Sequence, residues 1–314
     1  MSEIIRVRNL FKTYDQLNAV NDLSFTVHEG EVYGFLGQNG AGKSTTIRIL
    51  LSLIQATSGE VEIFGLNIRT HRNEILRQTG AIIERPDLYK FLSALENVSI
   101  FSRLSGLRLS RRQLMDQLEI VGLAERADSK VKTFSQGMKQ RLGLAVALVH
   151  NPKLVILDEP TNGLDPQGIA DVRNLILDLS RNHGKTIFVS SHLLNEMEMI
   201  ADRMLILDKG MAVREGSVKD LFDPARMHVQ FFIQNLAAIK DMLQLTEWSS
   251  SIKNSDGASI TFELEQQQIP VLNRSLSEMG ALIMAVQPKH SLEEYFLSLT
   301  TANQHVDPFA NRTI

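Results

Sequence analysis

The chain has 314 residues, 43% hydrophobic and 22% charged, with 33 Lys and Arg against 36 Asp and Glu, a formal net charge of −3. That balance gives no general attraction to nucleic acid or to an anionic membrane. The absence of cysteine excludes a disulfide framework, thiol catalysis and a thiolate-held metal.

The length suits a main domain of ~200 residues and a smaller second one. The opening stretch MSEIIRVRNL carries charges inside its apolar run and lacks a small-residue cleavage site, so it does not read as a signal peptide. The longest clean apolar run, Leu142 to Val149, is far short of the ~20 residues that a spanning helix needs. A membrane role would therefore act through a partner. Strands are expected at 4–10, 23–27, 31–37, 60–65 and 80–84. From about 93 to 150 the apolar spacing turns helical. Three β-type runs follow at 154–159, 186–191 and 204–208, the first two separated by a helical segment, which implies parallel strands with helical crossovers.

Composition shifts near Asp223–Pro224, and a different rhythm follows. MHVQFFIQ alternates strictly, NLAAIKDMLQL reads as a helix, ASITFEL alternates again, IPVLNRSLSEM is helical and ALIMAVQP is a strand. SLEEYFLSLT closes as a helix whose Ser291 and Glu294 fit a capping box. The expected domains are 1–222, with a helical subdomain at about 93–150, and a small α/β domain at 225–300. Residues 301–314 lack periodicity and are expected to form a flexible tail.

GQNGAGKST, Gly37 to Thr45, fits the phosphate-loop pattern between a strand and a helix. Its backbone N–H groups, from Gly37, Gln38, Asn39, Gly40, Ala41, Gly42, Lys43, Ser44 and Thr45, suit a triphosphate, and the helix start adds positive potential. Lys43 would reach the β- and γ-phosphates, and the Ser44 hydroxyl would ligate Mg²⁺. LVILDEP delivers Asp158 and Glu159 at the end of a buried strand. Asp158 suits the Mg²⁺ shell, and Glu159 suits polarising a water toward the γ-phosphate. A second Ser/Gly turn, FSQGMKQR, also opens a helix.

With these motifs in this order, residues ~4–220 resemble the nucleotide-binding subunit of ABC transporters. The resemblance implies an α/β fold: a P-loop NTPase core with an antiparallel β subdomain and a helical signature subdomain, followed here by the small C-terminal α/β domain. It also implies that Tyr14 stacks on adenine, that Gly163, Leu164 and Asp165 form the D-loop, and that His192 is the switch histidine. In that family two copies dimerise head to tail around two ATP molecules. Ser135, Gln136 and Gly137 would then grip the γ-phosphate of the opposite copy's ATP, with the positive end of the following helix. Each residue also has a plainer reading: Tyr14 a strand-edge aromatic, His192 a satisfied imidazole, Ser135 a helix N-cap.

The pattern departs from the family at two places. The signature turn carries Gln136 and Met138 where the family has Gly and Gln. After GAII, where the family has a Gln near Mg²⁺ and the attacking water, this chain has Glu84. A carboxylate there needs compensation from the metal or a raised pKa. The same replacement resembles the ATPases of bacitracin- and lantibiotic-type export and immunity systems, as does the SLEEYFLSLT ending. The resemblance therefore implies an ATPase using ATP and Mg²⁺, with Glu159, His192 and Glu84 catalytic and Ser44, Asp158 and Glu84 around the metal. Its expected partners are an integral membrane permease and a second nucleotide-binding subunit, with no nucleic acid. Its expected place is the cytoplasmic face of a membrane, held by that permease through residues 86–101. The alternatives are a soluble ABC ATPase acting on ribosomes or DNA and a regulatory module.

Overall fold

The computed structural model describes residues 2–221, 227–257 and 259–289. The expected helix capped by Ser291, the tail 301–314 and the shift at Asp223–Pro224 lie outside the described residues. The chain divides into two compact units, Met1–Val218 and Lys219–Ile314.

The first unit opens with β1 (Glu3–Tyr14) and β2 (Leu17–His28), a long antiparallel pair. β3 (Val32–Gly37) is buried along its whole length and leads through the glycine loop into α1 (Lys43–Leu50). Then come β4 (Ser58–Ile63), β5 (Leu66–Asn67), α2 (Arg72–Leu76) and β6 (Thr79–Ile82). The helical stretch contains α3 (Ala94–Leu104), α4 (Arg111–Ile120) and α5 (Gln136–Leu148). Ser93 caps α3 in a reciprocal box with Glu96, which satisfies two N-terminal groups and sets where the helix begins. β7 (Leu154–Asp158), α6 (Pro166–Arg181), β8 (Thr186–Ser191), α7 (Leu194–Ile200), β9 (Arg203–Asp208) and β10 (Met211–Ser217) follow. The short α8 (Val218–Leu221) carries the boundary between the units.

These strands make two sheets. One is antiparallel, in the order β2-β1-β4-β5; the other runs β10-β9-β3-β8-β7-β6 and is parallel from β9 to β6. Strands buried on both faces read as unbroken apolar runs, which is why β3, β7 and β8 show no alternation. Ile47, Ile49 and Leu50 of α1 share one core with Val7 and Leu10 of β1, Phe25 of β2 and Phe188 of β8. Phe25, Tyr33, Phe35 and Phe188 cluster there with ring centroids 5.2–5.9 Å apart, Tyr33 stacking on Phe25 and Phe188 and the other pairs tilted. The core thus grips the helix that follows the glycine loop. Within 86–101, Leu88 is buried while Tyr89 is exposed and Phe91 is 79% exposed.

The second unit contains β11 (Met227–Ile233), α9 (Leu236–Gln244), β12 (Ile252–Ser255), β13 (Ser259–Leu264), α10 (Ile269–Glu278) and β14 (Ile283–Lys289). The sheet order is β12-β13-β11-β14, antiparallel throughout. This is the β-α-β-β-α-β ferredoxin-like arrangement. Its core takes alternate residues of the central strands, Val229, Phe231 and Ile233 with Ile260, Phe262 and Leu264, under Leu243 of α9 and Leu272 and Leu276 of α10.

Three strands are absent from the sequence expectation, the first being β5, a two-residue edge paired with β4. β10 is an edge strand, largely exposed and without alternation, and β12 is a four-residue edge. Their pairing partners, not an internal pattern, make them strands.

Candidate active site

Parallel pairing brings the C-terminal ends of β3, β8, β7 and β6 to one edge of the sheet, with Leu36 beside Ser191, Ser190 beside Asp158 and Leu157 beside Ile82. That edge is where open α/β sheets place ligands. The glycine loop sits on it. Gly40 and Gly42 adopt φ of 84° and 104°, and a Cβ on Gly42 would run into the Ala19 carbonyl oxygen. Only glycine meets both demands. Gly42 precedes α1 as its N-cap and has no side chain to cap it, so the first-turn N–H groups are left for an anion rather than for a capping residue.

Lys43 is only 5% exposed. Its Nζ donates to the carbonyl oxygens of Gly37 at 2.6 Å and Gln38 at 3.2 Å, and lies 3.1 Å from Glu159 Oε1. The other oxygen of that carboxylate, Oε2, is 2.6 Å from His192 Nδ1. Glu159 therefore bridges the loop lysine and the histidine that follows β8. It does so from a left-handed backbone, φ 51°, a conformation that a non-glycine residue holds only when its surroundings over-determine it.

Asp158 is buried at 1% exposure. Its Oδ1 accepts from the Ser190 hydroxyl at 2.6 Å, while its Oδ2 is buried with no hydrogen-bond partner. A buried carboxylate oxygen without a partner is costly. Among the described residues no three or more His, Cys, Asp or Glu side chains gather around a metal. A cation here would draw most of its oxygens from water and phosphate, which is the habit of Mg²⁺ rather than of Ca²⁺ or Zn²⁺. The unpaired Asp158 oxygen and the hydroxyl of Ser44, next to Lys43, fit that ion.

The remaining expected residues are more scattered. Glu84 lies just past β6 with φ 59°; it is exposed, and its Oε1 is 2.6 Å from Arg48 Nη2 of α1. It stands at the same sheet edge but does not join the Lys43–Glu159–His192 chain. Tyr14 is exposed at the end of β1, with Lys12 Nζ 4.6 Å from its ring centroid. Ser135 caps α5, accepting from Met138 N–H at 3.2 Å, and both Ser135 and Gln136 are exposed. Asp165 caps α6, accepting from Gly168 N–H at 3.2 Å. Gly137 lies near α6: a Cβ on it would be 3.6 Å from Gly168 Cα. Tyr14, Ser135 and Asp165 thus stay on the surface, bonded within their own elements.

Some partners escaped the sequence reading. Ser190 binds both acids, and Arg48 neutralises Glu84. A short hydrogen bond between Thr161 and Glu196 ties the segment after Glu159 to α7. The only signal for Ser190 was a pair of serines ending an otherwise apolar strand.

Comparisons with known proteins agree on one family. A family profile described as ABC transporter matches residues 20–162. The bacitracin transport ATP-binding protein BcrA of Bacillus licheniformis is 42% identical over 302 residues, covering 95% of this chain and 98% of its own. The lantibiotic transport ATP-binding protein SrtF of Streptococcus pyogenes is 42% identical over 212 residues, covering 68% of this chain and 90% of its own. Among solved structures, the dimeric post-hydrolysis cassette MJ0796 bound to ADP and Pi superposes with a TM-score of 0.62 at 27% identity, covering 68% of this chain and 99% of its own.

Proposed function

The chain belongs to the ABC transporter family as an ATP-binding subunit, and from that premise we propose that it hydrolyses ATP to power a separate membrane permease exporting an antimicrobial-peptide, drug or lipid-type cargo. The observation that carries this reading is the Lys43–Glu159–His192 chain set on the glycine loop at the sheet's C-terminal edge. The bacitracin and lantibiotic transport relatives support the cargo class. Among the described residues no helix is long and apolar enough to cross a membrane, so in this reading the exposed Tyr89 and Phe91 dock a permease. No observation favours the ribosome- or DNA-acting alternative.

In this reading Tyr14 stacks on adenine, and the loop from Gly37 to Thr45 wraps the phosphates with Lys43 on the β- and γ-groups. Ser44 and Asp158 Oδ2 would hold Mg²⁺, which when bound would neutralise phosphate charge. Glu159 accepts the proton of the attacking water, and His192 fixes the orientation of that carboxylate. Glu84, whose Oε1 is held by Arg48, would join the metal's surroundings through its other oxygen or on release from Arg48. Ser135, Gln136 and Gly137, with the start of α5, face the γ-phosphate held by a second copy of the chain, with Asp165 beside the seam. The dimeric cassette MJ0796 supports that pairing.

The test is Glu159→Gln. The variant should bind MgATP, lose turnover by roughly 10²–10⁴-fold, and shift to a dimer with ATP in sedimentation. Wild-type turnover in the variant would reject Glu159 as the base. A chain that stays monomeric with MgATP, alone and with its permease, would reject the shared-phosphate arrangement.

A further inference from the structure

The hydroxyl of Ser190 sits between the two acids of the site. It donates its single proton to Asp158 Oδ1 at 2.6 Å and accepts the Glu159 backbone N–H at 3.0 Å. The residue is fully buried, and the parallel register of β7 and β8 sets it directly opposite Asp158. Every other residue of β8 before it, from Thr186 to Val189, is buried too, and Ile187, Phe188 and Val189 are apolar. A hydroxyl in such a strand needs partners, and here both lie in the site.

Two consequences follow from those bonds. Anchoring Oδ1 fixes the rotation of the Asp158 carboxylate and leaves Oδ2 as its unpartnered oxygen. Accepting the Glu159 N–H holds the left-handed turn that aims the Glu159 side chain at Lys43 and His192. We propose that Ser190 is a positioning residue: it orients Asp158 so that Oδ2 meets the divalent cation, and it steadies the backbone of Glu159. This inference rests on the ATPase reading above and extends it to a residue outside the phosphate loop, the strand acids and the switch histidine.

A Ser190 that merely filled the core would change stability alone. A positioning Ser190 changes how nucleotide binding depends on Mg²⁺. The experiment titrates Mg²⁺ against binding of a fluorescent ATP analogue to the full chain, with a parallel titration in EDTA. In Ser190→Ala the half-saturating Mg²⁺ should rise by about tenfold or more, tenfold being the lower end for a lost hydrogen bond to a charged group. Metal-free binding should stay at the wild-type value, and Ser190→Thr, which keeps the hydroxyl, should restore the Mg²⁺ midpoint. An unshifted midpoint in Ser190→Ala, or equal weakening with and without Mg²⁺, overturns the proposal. If the alanine variant does not fold, Ser190→Cys keeps a weak donor of similar size; its midpoint should rise part of the way, and a wild-type midpoint overturns the role. A wild-type chain that binds no Mg–nucleotide would reject the ATPase reading itself, whereas normal wild-type binding with an unshifted variant rejects Ser190 alone.

Discussion

Gly143 lies in the middle of α5, where glycine costs about 1 kcal/mol relative to alanine, so its presence needs a reason. The reason is Pro86. A Cβ on Gly143 would stand 2.5 Å from both Cβ and Cγ of Pro86, with Ile82 Cδ1 at 3.4 Å. Carbon atoms pack at about 3.5–4 Å, so Gly143→Ala must open the contact by about 1 Å. The proline ring cannot rotate away. Either α5 or the segment holding Glu84 and Pro86 has to move. Overpacking costs about 1–3 kcal/mol, and a 2.5 Å approach to a rigid ring belongs to the upper part of that range, about 2–3 kcal/mol, against a helix-propensity gain of ~1 kcal/mol. The net loss of about 1–2 kcal/mol lowers Tm by roughly 2–8 °C for a unit of this size. The displacement also reaches the chemistry. Ser135 begins the same helix about 12 Å along its axis from Gly143, at 1.5 Å per residue, and Glu84 is two residues before Pro86. Calorimetry and Mg²⁺-dependent ATPase assays, run well below Tm, read the two effects separately. The expected result is a lower Tm with a larger loss of turnover than the unfolded fraction explains. Gly137→Ala is the control: its Cβ would meet Gly168 Cα at an ordinary 3.6 Å, so the fold should be unaffected while ATP-driven dimerisation weakens. A wild-type Tm in Gly143→Ala would refute the packing argument. A lowered Tm with full turnover of the folded protein would refute the link between the two segments.

Glu84→Gln should leave Tm unchanged, since its ion pair with Arg48 is exposed and worth at most ~1 kcal/mol; its ATPase should stay within a few-fold of wild type while the Mg²⁺ titration shifts. Phe91→Asp, at a side chain that packs against little of its own chain, should leave the ATPase of the purified subunit unchanged and abolish co-purification with the permease. Burial, aided by repulsion from Lys185, holds the His150 imidazole below the usual histidine value although the Thr79 carbonyl oxygen at 3.2 Å works the other way. The unfolded chain then binds the proton more readily, so stability is full above about pH 6.5 and is lost as pH falls toward the lowered folded value. Urea midpoints at pH 7.5 and 5.5 should drop more for the wild type than for His150→Gln.

The phosphate loop was legible because each part answers a separate local demand: glycines for left-handed turns, a lysine, and a hydroxyl at a helix start. The strand acids were legible only in company: an apolar run ending in Asp158–Glu159 reads equally well as a strand capped by two acids, and the glycine loop upstream decides between the two. Ser190 was not legible, because its meaning depends on β7 and β8 lying side by side in one register. Sequence does not display that pairing. Arg48 and Glu84 likewise meet across 36 residues of chain, through the placement of α1 beside the end of β6. β10 and β12 failed for an energetic reason: edge strands that bury little need no alternation to form. The second unit was legible as alternating strands and helices. Its antiparallel order was not, because the short β12 is the element that turns the alternation into a ferredoxin-like sheet.

The site's geometry also orders events within it. A buried ammonium needs partners, and Lys43 already has two carbonyl oxygens and Glu159. In the proposed reading, phosphate oxygens entering the loop would compete with Glu159 Oε1 for that one charge. When they win, the carboxylate loses its lysine and keeps His192. If Glu159 is the base, as proposed above, filling the loop and releasing it would be a single exchange, and the Lys43 ion pair would hold it until phosphate arrives. The exchange requires a side chain that moves on a backbone that does not. Ser190, anchored in a buried strand and bonded to the Glu159 N–H, supplies the fixed part.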